Sequence, residues 1–107
     1  MEDSLNLRLA ALADPTRRAI VARLARGEAT VAELQKPFGI SQPPISRHLK
    51  VLEAAGLIEQ DRVAQTRPRR LRVEALQEAG AWFGEVAGFW RESFDRLDAM
   101  IAEDKER

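Results

Sequence analysis

The side chains best equipped for chemistry stand in one short run, Ser41-Gln42-Pro43-Pro44-Ile45-Ser46-Arg47-His48-Leu49-Lys50. It offers two hydroxyls, an amide, a guanidinium, an imidazole and an ammonium, and no acid follows until Glu53. A second cationic group comprises Arg62, Arg67, Arg69, Arg70 and Arg72, with no acid between Arg62 and Glu74. Such donors bind anionic oxygens, and a guanidinium does so in a bidentate fork. Catalysis has little to work with. There is no cysteine, one histidine, no glycine-rich phosphate loop and no paired acid in an evident cleft, so no enzyme is expected. His48 alone makes a poor metal site, because zinc takes about four ligands. No metal and no cofactor are therefore expected.

Charge distribution supports an anionic partner where the total does not. Formal net charge over the 107 residues is zero. Residues 1–40 carry +1, residues 41–73 carry +4 and residues 74–107 carry −5. A basic middle and an acidic tail are more informative than the sum. A chain of this size suits one domain with a modest core. No apolar run approaches the roughly 18 residues of a membrane span, and the acidic start does not read as a secretory signal. A cytoplasmic location is the expectation, with no membrane partner.

Local signals on either side of Ser41 define the helices and strands that carry this run. Ser41 is an N-cap, and Gln42, Pro43 and Pro44 fill the first turn of a helix ending near Ala55, with Gly56 as its stop. Proline gives up little there, since first-turn N–H groups have no partner within the helix. The Ser41 hydroxyl cap is weakened, because the nitrogens it would bond lie on prolines. Ile45, Leu49 and Leu52 fall within about 60° of one another and form the buried edge. Arg47 and Lys50 lie opposite, with Ser46 and Gln42 on one flank and His48 on the other.

Upstream, Leu5, Leu9 and Leu12 share a face of a first helix, expected over 4–13. Asp14-Pro15 starts a second, ended by Gly27. Thr30 and Glu33 form a capping box for a third, beginning at Val31 and limited by Pro37 and Gly39. Downstream, Leu57 and Ile58 open a strand, and Leu71 and Val73 alternate with Arg70 and Arg72. A polar tip lies around Ala64, Gln65, Thr66 and Arg67, and Pro68 suits an edge. The last third, Val73 onward, reads as one long helix, with 74–104 as a dimerisation element. Trp82, Phe83, Val86, Phe89, Trp90, Phe94, Leu97, Met100 and Ile101 occupy an arc of about 140° on it. This stripe reads as core and dimer seam, with a ligand-cavity lining as the alternative. Gly80, Gly84 and Gly88 repeat on the opposite side; a helix contact and a weakly helical stretch both fit them.

Two short helices joined by "FGIS" and followed by an arginine-bearing hairpin make a winged helix-turn-helix. The class is mainly α with a small β-hairpin, about five helices and a two- or three-stranded wing, in a single domain over residues 1–107. The stretch "LADPTRRAIVARLARGEATVAELQKPFGISQPPISRHLKVLEAAGLI" also resembles the core of the ArsR family of bacterial winged-helix transcriptional repressors. The run S-x-P-x-I-S-R-H-L-K-x-L-E-x-A-G-L-I carries the likeness. The resemblance implies a homodimer paired through its first and last helices and bound to an imperfect palindromic operator. Leu5 and Leu9 would then join the tail stripe at the dimer seam. The metal-sensing members carry cysteines near the third helix, or histidines with acids on the last one. This chain has neither, so it resembles the cysteine-less members.

On that reading Ser41, Gln42, Ser46 and Arg47 face the major groove, with Arg47 suited to guanine and Gln42 to adenine. His48 packs and meets a phosphate, and Lys50 meets a phosphate. Arg67, Arg69 and Arg70 reach DNA from the wing. For each residue the plain alternative is capping or a solvated surface. The expected partners are duplex DNA and a second copy of the chain, and an unidentified small-molecule effector is compatible. The competing class is a winged-helix module that binds protein and does not read DNA.

Overall fold

The computed structural model describes residues 2–39, 41–62 and 65–106. Ala64 of the expected wing tip and Ile40 of the inter-helix turn lie outside them. The elements run α1 (Glu2–Ala11), α2 (Pro15–Leu24), α3 (Val31–Phe38), α4 (Gln42–Ala54), β1 (Ile58–Gln60), β2 (Arg69–Leu71) and α5 (Val73–Glu106).

Capping chemistry sets most of these boundaries. The Asp14 carboxylate accepts the Arg17 N–H at 3.0 Å at the start of α2, with Pro15 in the first turn. Thr30 and Glu33 complete both halves of the capping box on α3. That helix stops at Gly39, whose φ of 62° is the left-handed conformation glycine adopts at low cost. Ser41 caps α4 with its backbone alone and makes no side-chain cap bond, as two neighbouring prolines require.

Two boundaries differ from the sequence reading. α1 spans 2–11, not 4–13, because its carbonyl end is taken over by side chains of α2. Arg17 donates to Ala10 O and Ala11 O, and Arg18 to Leu12 O and Ala13 O. α2 ends at Leu24, and Gly27 belongs to the turn beyond it. Val73 opens α5, where the long helix was expected to begin, and is exposed.

β1 and β2 pair antiparallel in the register Ile58↔Leu71, Glu59↔Arg70 and Gln60↔Arg69. Among the described residues a third strand is represented only by a single bridge from Ala29 to Arg69. Ile20, Leu34, Ile45, Leu49, Leu52 and Leu57 are fully buried and bring α2, α3 and α4 onto the root of the hairpin. α5 joins this core only through Ala75, Leu76 and Ala79. From Gly80 onward its apolar residues are exposed.

The aromatic stripe is therefore no part of the core of a single chain. The molecule extends over 72 × 29 × 21 Å with a radius of gyration of 19.7 Å, against about 13 Å for a compact domain of this length. A 34-residue helix is about 51 Å long, and its outer half accounts for the excess. No helix among the described residues is long and apolar enough to cross a membrane.

The capping box carries a pH signature. Hydrogen bonds from Thr30, first its backbone N–H and then its hydroxyl, hold the Glu33 carboxyl below its ordinary range. A value lowered by folding contributes stability that is present above the unfolded pKa and lost as pH falls through the folded one. Glu33→Gln keeps the hydrogen bonds but not the titration. Thermal melts should show the variant close to wild type at neutral pH, with a shallower fall in midpoint below about pH 4.

Candidate nucleic-acid interface

α4 presents two unlike faces because its apolar edge is pinned. Ile45, Leu49 and Leu52 are each no more than 1% exposed, which leaves Gln42, Pro43, Arg47, Lys50 and Ala54 in solvent and Ser46 half-buried at the margin. Ser41 is exposed at the tip. Neither Arg47 nor Lys50 has an ion-pair partner among the described residues. The outward face of α4 is a row of free hydrogen-bonding and cationic groups, one helix wide.

His48 is half-buried on the flank. Its Nδ1 lies 3.4 Å from Arg17 Nη1 and 3.9 Å from the Asp14 carboxylate. The structure thus gives this ring partners at the α1–α2 junction.

The wing arginines divide into two groups. Arg62 and Arg67 are exposed and have no ion-pair partner among the described residues. Arg67 has φ 44°, the one positive φ on a described non-glycine residue. Its carbonyl accepts a hydrogen bond from Arg69 Nη1 at 2.8 Å, which helps hold the tip in this uncommon conformation. Arg69 itself is turned inward. Its Nε lies 3.3 Å from Glu53 Oε1, and its side chain is only 15% exposed. Gln60 Nε2 donates to both oxygens of the same carboxylate, at 3.1 and 3.3 Å. Glu53 therefore latches both wing strands to α4.

Arg70 pairs across the ladder with Glu59 through Nε and Nη2. The Arg70 hydrogen bonds pull the Glu59 carboxyl below its ordinary range, and the same contact raises Arg70. Arg72 donates to Gly56 O at 3.4 Å and lies beside Glu74.

Sequence reasoning grouped Arg67, Arg69 and Arg70 together as DNA contacts. The structure leaves the Arg67 side chain unpaired and gives the other two acidic partners. Those acids, Glu53 and Glu59, stand on α4 and β1 and not within the arginine run. Glu53, Gln60, Arg8 and Arg17 were missed as organising residues. The available signals were that Glu53 is the only acid on α4 and that Asp14 and Arg17 stand three apart.

A short helix–turn–helix with a donor-lined second helix, flanked by a cationic hairpin, defines the winged helix-turn-helix class. Residues 12–61 match the helix-turn-helix domain family. The HTH-type transcriptional regulator Rv2034 of Mycobacterium tuberculosis is 56% identical over 93 residues, 85% of this chain and 82% of that protein. The transcriptional repressor SdpR of Bacillus subtilis is 38% identical over 72 residues, 67% of this chain and 80% of that one. Among solved structures, an ArsR family transcriptional regulator superposes with a TM-score of 0.76 at 38% identity, covering 85% of this chain and 94% of the other. A homodimeric winged helix-turn-helix DNA-binding domain from Mycobacterium bovis gives 0.63 at 27% identity, covering 84% and 81%. The chain belongs to the ArsR family of winged helix-turn-helix transcriptional regulators.

The latch is open to test without any ligand. Glu53→Ala leaves Gln60 and Arg69 without their shared acceptor. Hydrogen exchange should quicken at the Arg69 and Asp61 amides, which close the hairpin on Ala29 O and Pro68 O. Unchanged protection at both would show that the strands hold without Glu53.

Proposed function

We propose that the protein is a homodimeric transcriptional repressor that reads an imperfect palindromic operator with α4 and flanks it with the wing. One observation carries this reading: the outward face of α4 sets Gln42, Ser46, Arg47 and Lys50 together, without an acid, beside the unpaired Arg62 and Arg67 of the wing. Arg47 supplies a bidentate fork for guanine and Gln42 an amide for adenine. Ser41, Ser46 and Lys50 suit phosphate oxygens or a base edge, which give affinity and register. Arg67 at the wing tip suits the negative potential of a minor groove. Arg69 and Arg70 serve this reading by shaping the wing, and Arg70 remains 54% exposed beside Glu59.

The partner copy is argued from α5. Trp82, Phe83, Val86, Phe89, Trp90, Phe94, Leu97, Met100 and Ile101 are all 40% or more exposed, apart from Val86 at 37%. An apolar surface of this extent marks an interface. Leu5 and Leu9, half-buried on α1, would extend the seam. Pairing there would set two α4 helices against successive major grooves, about 34–36 Å apart. An effector would regulate such a dimer by binding one helix spacing better than another.

Fluorescence anisotropy on a duplex selected by the protein from a random pool, near 150 mM salt, tests this. Specific binding about a thousandfold above shuffled sequence, falling steeply with salt, is expected. Equal weak binding to both duplexes would favour a protein-interaction module. Arg47→Ala should cost roughly 1–3 kcal/mol and relax one base position. Val86→Glu or Leu97→Glu should dissociate the dimer in sedimentation and abolish specific binding. A variant that stays dimeric would remove that residue from the seam.

A further inference from the structure

We propose that Arg17 is a positioning residue for operator reading: it ties the carbonyl end of α1 to His48 of the recognition helix and so sets both the ring's tautomer and the angle at which α4 is presented. The inference rests on the DNA-reading function above.

Each of the three guanidinium nitrogens has a contact. Arg17 Nε donates to Ala11 O at 2.6 Å, Nη2 to Ala10 O at 3.3 Å, and Nη1 faces His48 Nδ1 at 3.4 Å. A guanidinium has donors only. Its N–H toward His48 is met by a lone pair if Nδ1 is unprotonated, and then the ring proton sits on Nε2. The charged groups facing the ring come from α2 and its N-cap. They are Arg17 and Asp14, whose carboxylate is 3.9 Å from Nδ1 and already accepts the Arg17 N–H. From α1 the junction receives only main-chain carbonyls. His48 is left with Nε2–H as a fixed donor on the flank of α4, next to Arg47.

A second arginine makes the arrangement a two-point hold. Arg8 of α1 donates through Nε to Ala55 O at 3.3 Å, at the C-terminal cap of α4, and through Nη1 to Glu78 of α5. Its side chain is 13% exposed. His48 and Ala55 are about 10 Å apart along the helix. One tether would leave α4 a pivot; two define its axis relative to α1. Since α1 lies on the proposed dimer seam, the partner copy and the recognition helix are then linked through rigid hydrogen-bonded groups.

The test uses the full chain, its single histidine and a duplex that the wild type selects from a random pool. In the free protein, long-range proton–nitrogen correlation should show His48 as the Nε2–H tautomer, with Nδ1 shifting when Arg17 becomes Ala. An Nδ1–H tautomer would overturn the inference whatever the DNA result. For binding, Arg17→Ala should weaken specific affinity about tenfold, leaving dimerisation, non-specific affinity and the salt slope as in wild type. His48→Ala should do the same, and the double variant should be no weaker than the weaker single one.

His48→Asn places an amide oxygen where Nδ1 stood and should recover most of the affinity. If Arg17→Ala does not fold, the two His48 variants and the tautomer carry the test. Additive losses, or a salt slope reduced by about one for Arg17→Ala, would overturn the positioning role, the latter by making Arg17 a phosphate contact. If the wild type enriches no duplex, the DNA-reading function itself fails and the inference with it. If it does and the variants bind like wild type, only the inference fails.

Discussion

Everything functional here depends on the burial of one edge of α4. Ile45, Leu49 and Leu52 are essentially inaccessible, and burying each contributes roughly 1.5–3 kcal/mol. A helix rotates by 100° per residue, so pinning that edge leaves no freedom in where Arg47 and Lys50 point. Two prolines in the first turn do not disturb this. They occupy positions whose N–H groups the helix does not use, at the cost only of the Ser41 hydroxyl bond.

Around that edge the protein divides its cations between holding and reading. Arg8, Arg17 and Arg18 close over the main-chain ends of α1 and α4, where unpaired carbonyls would otherwise be left. Arg69 completes the Glu53 latch that joins both strands to α4. Surface ion pairs such as Arg70–Glu59 are worth little on their own. A half-buried carboxylate shared by Gln60 and Arg69 is different, since removing it strands two donors. Of the cations in residues 41–73, Arg47, Lys50, Arg62 and Arg67 are left without an ion pair among the described residues. Their number agrees with the net +4 of residues 41–73, which already subtracts the acids.

α5 answers to a different constraint. Its first two turns close the core through Ala75 and Ala79, and the rest leaves the domain with its apolar stripe outward. Ring contacts along the helix, Trp82 with Phe83 at 5.1 Å and Trp90 with Phe94 at 5.9 Å, order that surface without covering it. The described residues leave it exposed. The homodimer proposed here covers it.

The sequence by itself determined the elements and their faces. The D-P and T-x-x-E caps, the S-Q-P-P start, the three-and-four spacing in α4 and the stripe on α5 are local signals, because capping and amphipathicity involve residues within one or two turns of each other. It also carried the family likeness and the outward placing of Arg47 and Lys50. It did not show how the arginines divide. Glu53 meets Arg69 sixteen residues on, Arg17 meets His48 across thirty-one, and Arg8 meets Glu78 across seventy. Nothing in local spacing encodes such pairs; they exist only once α2, α4, the hairpin and α5 have packed. Which cations are structural and which are free was decided by tertiary packing alone, because an ion pair depends on distance in space and not along the chain.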